Sequence, residues 1–288
     1  MIASDRVAWV ALSLIPRMGS RTLAHLLDRF ETLDAILGAS EQELRTVRGV
    51  GPQTAAAIRA VDRDRTQAQM IAWEASGIAI LVHGQGGYPA ALDPLADAPP
   101  VLFQRGTLQP ADCRAVALVG TRSPTEPARQ IARSLAQVLG EHGWTVVSGL
   151  AAGVDTAAHQ GALAAPGRTL AVLGCGVQVI YPPENGALAD RIVAQGALFS
   201  EVQPDAPPNS PALVARNRLI SGLSQAVIVI ETGENGGTMH AVRFAREQGR
   251  PLYALDHEAA GNRRLIADGV RALPPDPESW DSLLRDLT

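Results

Sequence analysis

Three groups of residues in this 288-residue chain have the types and spacing to bind or transform a ligand. The first is a set of glycine-bearing turns, each following an apolar run: Gly120-Thr121-Arg122, Gly149-Leu150-Ala151-Ala152-Gly153, Gly174-Cys175-Gly176 and Gly236-Gly237-Thr238. Glycine lets backbone approach a ligand closely, and a helix N-terminus behind such a turn offers free N–H groups to an anion. The second is Arg216-Asn217-Arg218, with no acid between Pro211 and Ser224 to pair the two guanidinium groups locally. With Arg122 they could supply forked donors to successive phosphates. The third is Asp155 and His159, four apart on one helix and able to touch. They could form an acid–base pair. No nucleophile or metal ligand stands at a matching spacing, which favours a hydrogen-bonded pair locking the helix to its sheet. The other two groups also have plain structural readings: glycines that only make tight turns, and arginines that only solvate a surface.

The elements that must position these residues read as alternating strands and helices. Val116-Ala117-Leu118-Val119 is an uninterrupted apolar run, as expected of a strand buried on both faces of a parallel sheet. A helical stripe follows (Ile131, Leu135, Val138, Leu139), ended by Gly143, and Thr145-Val146-Val147-Ser148 is the next strand. Further strands are expected at 169–173, 197–200, 226–230 and 251–255. Repeated alternation predicts an α/β fold, a Rossmann-like doubly wound and mainly parallel sheet. In such a sheet the strand ends share one rim, so the glycine turns, with Glu201 and Glu231-Thr232-Gly233, should converge where ligands bind.

Upstream, residues 1–62 look like a small all-helical unit. Ser40 with Glu43 predicts a capped helix start. Val47-Arg48-Gly49-Val50-Gly51-Pro52, followed by a helix, resembles a helix–hairpin–helix (SAM-like) element, and Ile15-Pro16-Arg17-Met18-Gly19 a degenerate first copy. The unit either touches DNA or is a protein-interaction bundle that kept only the turn chemistry; its seven arginines balance seven acids. Residues 63–105 read as a linker helix and lead-in strands, with a Gly, Pro and Asp-rich loop at 84–100. Residues 106–273 form the main domain, and 274–288, with three prolines and four acids, a solvated acidic tail ending in a short amphipathic turn around Trp280 and Leu283.

Composition narrows the function classes. All 25 cationic residues are arginine, the net charge is −4, and in 106–273 fourteen arginines balance fourteen acids. A uniform basic coat is absent, so phosphate binding must rest on a local cluster. Two cysteines cannot form a disulfide framework or a four-ligand zinc site, and no metal or cofactor is expected. No apolar run reaches the roughly 20 residues that span a bilayer, and the N-terminus lacks a basic n-region, which predicts a cytoplasmic protein without membrane contact.

Together these blocks resemble the DNA-processing protein A (DprA/Smf) family: Val119-Gly120-Thr121-Arg122, SGLAAGVDTAAH (148–159), AVLGCGVQVIYPPEN (171–185), ARNRLISGLS (215–224) and Gly236-Gly237-Thr238, after a family-like segment at 88–106. The resemblance implies an extended Rossmann-like domain that binds single-stranded DNA, dimerises and loads RecA recombinase in natural transformation, without catalysis. It places DNA contacts at Gly120, Thr121, Arg122, Gly149, Arg216, Asn217 and Arg218, with the Gly236–Thr238 turn nearby. Ala152 stands where many members carry arginine, Ala215 where the arginine run often begins, the 256–261 loop is short, and no winged helix follows residue 273. Two other classes compete. A phosphoribohydrolase resembling the lysine-decarboxylase-like enzymes would share the sheet, but Ala241 occupies the place of their catalytic glutamate. A pure protein-interaction scaffold would not bind oligonucleotide at all.

Overall fold

Residues 3–16 and 18–287 are described by a computed structural model; Arg17 of the first hairpin lies outside them. Six helices come first: α1 (Ala3–Ser13), α2 (Ser20–Phe30), α3 (Leu33–Gly38), α4 (Glu41–Leu44), α5 (Pro52–Arg59) and α6 (Arg63–Ala75). Ser40 and Glu43 form the expected reciprocal cap of α4, and Pro52 opens α5 directly behind the Gly49–Gly51 hairpin. Leu12, Leu23, Leu26, Ile36, Leu44 and Ile58 give this unit its own core.

A single nine-stranded sheet carries the rest. Its strands are β1 (Ile78–Val82), β2 (Val101–Gly106), β3 (Ala115–Val119), β4 (Thr145–Ser148), β5 (Thr169–Val172), β6 (Ala197–Ser200), β7 (Ala226–Val229), β8 (Leu252–Leu255) and β9 (Arg271–Leu273). In space they run β1-β2-β6-β5-β4-β3-β7-β8-β9. The segment read as a linker with lead-in strands is built into this sheet: β1 pairs antiparallel with β2, and β2 antiparallel with β6. All other pairings are parallel. The helices between them are α7 (Glu126–Glu141), α8 (Val154–Ala162), α9 (Gly186–Gln195), α10 (Ser210–Ala215), α11 (Asn217–Gly222), α12 (Thr238–Glu247), α13 (Ala260–Ala267) and α14 (Asp281–Leu287).

Both faces of the sheet are covered, which is why its central strands read as unbroken apolar runs. Ala115, Ala117 and Val119 of β3 face a core shared with α11, α12 and α13, whereas Val116 and Leu118 face α7 and α8. Trp73 of α6 meets Phe103 of β2 edge to face at 5.3 Å, joining the helical unit to the sheet. The chain leaves β3 toward β4 on one side and, after β6, crosses back to β7 on the other. That reversal opens a crevice between the loops after β3 and β7, the usual ligand position of open α/β sheets.

The carboxyl-terminal segment departs from its expected form. Trp280 (1% exposed) and Leu283 (2%) enter the core beside Leu255 and Tyr253, and the Trp280 indole donates to the Pro274 carbonyl at 2.9 Å. Burying a tryptophan outweighs the acidity of its neighbours, whose carboxylates stay exposed. The apolar face of α13 is likewise spent internally: Leu265 is buried against the sheet and Ile266 packs on it.

Candidate functional site

The first two glycine turns interlock. The Val154 amide, the first of α8, donates to the Thr121 carbonyl at 3.2 Å. Gly153 has φ +84°, and a Cβ there would strike the Thr121 and Arg122 carbonyls, so this crossing needs glycine on both counts. The loop after β3 is therefore braced from below by the turn after β4. Thr125 caps α7 through its Oγ1, with Pro127 in the first turn.

Across the switch point, the Gly236-Gly237 turn leads into α12. The Gly237 and Thr238 amides have no backbone acceptor among the described residues, as expected at a helix start. Between the two loops lies a cleft of about 450 Å³. Gly120, Thr121 and Arg122 form one wall; Asn217, Leu213 and Arg216 the next; Gly236, Gly237 and Thr238 the third. The expected convergence of strand-end turns is thus present as geometry. Leu213 and Val214 of α10 line the cleft too, apolar contributors that reading for charge had passed over. A smaller cavity of about 110 Å³, lined by Cys175, Leu173 and Tyr181, shares Arg122, Leu213 and Arg216 with it.

The arginines have three different roles. Arg122 is exposed and makes no hydrogen bond or ion pair to a described residue. Arg216, read as an unpaired donor, is instead buried (7% exposed). Its Nη1 donates to the Gly149 carbonyl and, at 2.6 Å, to the Val172 carbonyl, while Nη2 lies 3.7 Å from Asp155. Gly149 has no Cβ because the guanidinium occupies that space. Arg216 lines the cleft floor, but its Nη1 is committed to the carbonyls at the ends of β4 and β5, its Nη2 faces Asp155 and its buried Nε has no partner among the described residues.

Arg218, likewise read as free, is buried (8% exposed) and paired with Glu201 at 2.5 Å and Asp97 at 3.4 Å. Its partners come from the end of β6 and from the loop before β2, so no local inspection of residues 211–224 could find them. It does not line the cleft. Asn217, between the two, does.

Asp155 and His159 do not pair with each other. The Asp155 carboxylate accepts from the Gly149 and Ala151 amides at 3.2 and 3.3 Å and faces Arg216. Burial pushes its pKa up, opposed by the Arg216 charge and those amides. Burial also pushes the Arg216 pKa down, opposed by Asp155, so each charge is held by the other. His159 donates from Nδ1 to Thr169 Oγ1 at 2.7 Å, because that hydroxyl gives its own proton to the Val146 carbonyl. Its Nε2 has no partner, and burial, with Arg216 adding to it, pushes its pKa down to about 3. Both residues are structural, each through its own contacts. His159 is fully enclosed, whereas Asp155 borders the cleft with its carboxylate committed to Arg216 and the two amides.

Among the described residues no group of three His, Cys, Asp or Glu side chains is placed to hold a metal, and no helix is long and apolar enough to cross a membrane. Ala241, where a phosphoribohydrolase would carry its glutamate, lies in the cleft wall.

Comparison with known proteins agrees with this architecture. Residues 79–284 match the family described as DNA recombination-mediator protein A, and residues 8–71 the helix-hairpin-helix motif. Protein Smf of Synechocystis sp. is 33% identical over 95% of this chain and 71% of its own length. The crystal structure of DNA processing protein A from Streptococcus pneumoniae superposes with a TM-score of 0.81 at 26% identity, covering 98% of both chains. DNA processing protein A from Helicobacter pylori, whose structure concerns a single-stranded DNA binding mode, superposes with a TM-score of 0.66 at 32% identity over 73% of this chain and 96% of that one.

Proposed function

The chain belongs to the DNA recombination-mediator protein A (DprA/Smf) family, and from that premise we propose that the switch-point cleft holds the backbone of single-stranded DNA. Carrying the reading is the placement of one unpaired guanidinium, Arg122, opposite the free amides that open α12. Phosphate is the ligand that suits both, since a helix N-terminus and an arginine fork each favour an anionic oxygen. The relative from H. pylori, with its reported single-strand binding mode, supports the choice of strand.

The protein positions and does not transform. Gly120, Thr121, Asn217, Gly236, Gly237 and Thr238 approach the strand; Arg216 supports the floor; Gly149 gives it room; Arg218 holds α11 from behind. His159 is buried away from the cleft, and Asp155, which borders it, is held by Arg216 and the Gly149 and Ala151 amides, which argues against acid–base chemistry. The phosphoribohydrolase alternative lacks its acid at Ala241, and release of base from nucleoside monophosphates would be its signature.

Aromatic residues make up only 4% of the chain, so phosphate contacts rather than base stacking should dominate affinity. Binding should therefore be weakly sequence-dependent and fall steeply with salt. Oligo-dT titrated across a salt series tests this: the log–log slope should drop by about 0.7 in Arg122→Ala, one phosphate contact on a single strand. An affinity indifferent to salt would sink the proposal. As a family mediator, the protein would then act in the cytoplasm as a homodimer, protecting incoming strand and handing it to RecA in natural transformation. RecA-dependent strand exchange on strand precoated with a single-strand-binding protein, with and without this chain, is the corresponding assay.

A further inference from the structure

One acidic residue stands at the anion-binding rim without a charge-based reason to be there. Glu231 ends the apolar run of β7, directly across the switch point from Arg122. Its backbone carbonyl accepts from the Thr121 amide at 2.8 Å. Its carboxylate Oε2 accepts from the Thr125 amide at 2.9 Å and from Thr125 Oγ1 at 2.8 Å. A single residue thus fastens both ends of the five-residue loop whose middle carries Arg122.

A histidine also faces the same carboxylate oxygen. His257 Nδ1 accepts from the Ala259 amide at 3.1 Å, which leaves Nε2 as the protonated nitrogen, 3.8 Å from Glu231 Oε2 and 3.5 Å from Thr125 Oγ1. The loop after β8 therefore backs the tether. Within the loop, the Ser123 amide donates to Thr121 Oγ1 at 3.2 Å, completing a closed turn. Arg122 itself has no side-chain partner to fix it, so its direction toward the cleft is set through its backbone. A negative charge beside a phosphate path weakens binding by repulsion; retaining one there makes sense if its hydrogen bonds are worth more than its charge costs.

We propose that Glu231 is a positioning residue for DNA binding: it holds the Thr121–Thr125 loop so that Arg122 meets the strand preorganised. The inference rests on the reading of the cleft as a single-stranded DNA site. A guanidinium on a slack loop would lose ordering entropy on each binding event, and preorganisation removes that cost.

The test separates the tether from the charge. Both Thr125 donors use the same oxygen, so Glu231→Gln keeps an acceptor for them while deleting the charge; Glu231→Ala deletes both. Oligo-dT affinity should fall on the order of tenfold in Glu231→Ala, the worth of a charge-assisted hydrogen bond, and match Arg122→Ala. Glu231→Gln should bind as well as the parent or tighter. Glu231→Ala added to Arg122→Ala should cost nothing more, and Glu231→Ala alone should flatten the salt slope by about 0.7. Thr125→Val, which loses the hydroxyl donor but keeps the amide, should fall between Glu231→Ala and parent, a second check should Glu231→Ala fold poorly. Parent-like or tighter binding by Glu231→Ala overturns the inference, as does equal weakness of Glu231→Gln and Glu231→Ala. If Arg122→Ala itself binds like the parent, the reading of the cleft fails first.

Discussion

Replacing Arg216 with alanine distinguishes a buried strut from a surface DNA ligand. The substitution strands the buried Asp155 without the one cationic partner it has among the described residues, and removes the guanidinium donor from the Gly149 and Val172 carbonyls. Breaking a buried ion pair from one side costs about 3–5 kcal/mol. The lost carbonyl bonds belong to the same event and are not added separately. For a domain of this size 1 kcal/mol moves Tm by about 2–4 °C, so Tm should drop by about 6–20 °C. Arg122→Ala, at an exposed and unpaired site, should stay within about 0.5 kcal/mol of the parent.

The sign of the pH effect adds a check. With its partner gone, Asp155 has a folded pKa further above its unfolded one, so the associated stability is present below the unfolded pKa and lost as pH rises through the folded value. Arg216→Ala should therefore be less destabilised near pH 4 than at pH 7. Removing both charges, in Arg216→Met/Asp155→Leu, should recover much of the loss. Urea unfolding followed by tryptophan fluorescence measures all four proteins. If Arg216→Ala unfolds within about 1 kcal/mol of the parent while losing oligonucleotide binding, Arg216 is a free phosphate donor and the strut assignment is wrong.

Other consequences follow from the same packing. His159, with its pKa lowered from 6.5 to about 3, contributes stability that is complete above pH 6.5 and is lost as pH falls toward 3; between pH 6.5 and pH 5 the loss should be about 2 kcal/mol, and His159→Gln should flatten that slope in unfolding measured against pH. Gly149→Ala drives a methyl into the Arg216 guanidinium and should destabilise by about 1–3 kcal/mol, read as a lower urea midpoint at unchanged m. Trp280→Ala opens the core under β8 and should cost about 3–5 kcal/mol by the same assay; a loss below about 0.5 kcal/mol would mean the tail is not docked.

The fold was legible where burial is symmetric. β3, β4, β5, β6, β7 and β8 stand out because both faces of each are covered, which forbids polar interruption, and glycines mark their ends. β9 did not stand out: it is three residues long, with Arg271 and Ala272 exposed at the sheet edge. The tail reads as solvated because its acids dominate its composition; Trp280 and Leu283, three apart, mark its amphipathic turn, but composition does not show that this turn docks into the core. At the site, glycine turns were readable because their constraint is local to the backbone. The guanidinium partners were not. Arg218 finds Glu201 and Asp97, and Arg216 finds Asp155, only after the sheet brings distant strand ends onto one rim. A stretch without acids says nothing about the acids that folding delivers, and of the three arginines only Arg122 stays free.

A structure of the protein with a short deoxythymidine oligomer tests the central claim most directly. Consecutive phosphates should lie within hydrogen-bonding distance of the Arg122 guanidinium and of the Gly237 and Thr238 amides, with Arg216 and Arg218 still holding their carboxylates. An oligomer seated on the helical unit or the outer face of the sheet, with the switch-point cleft open to solvent, would contradict it.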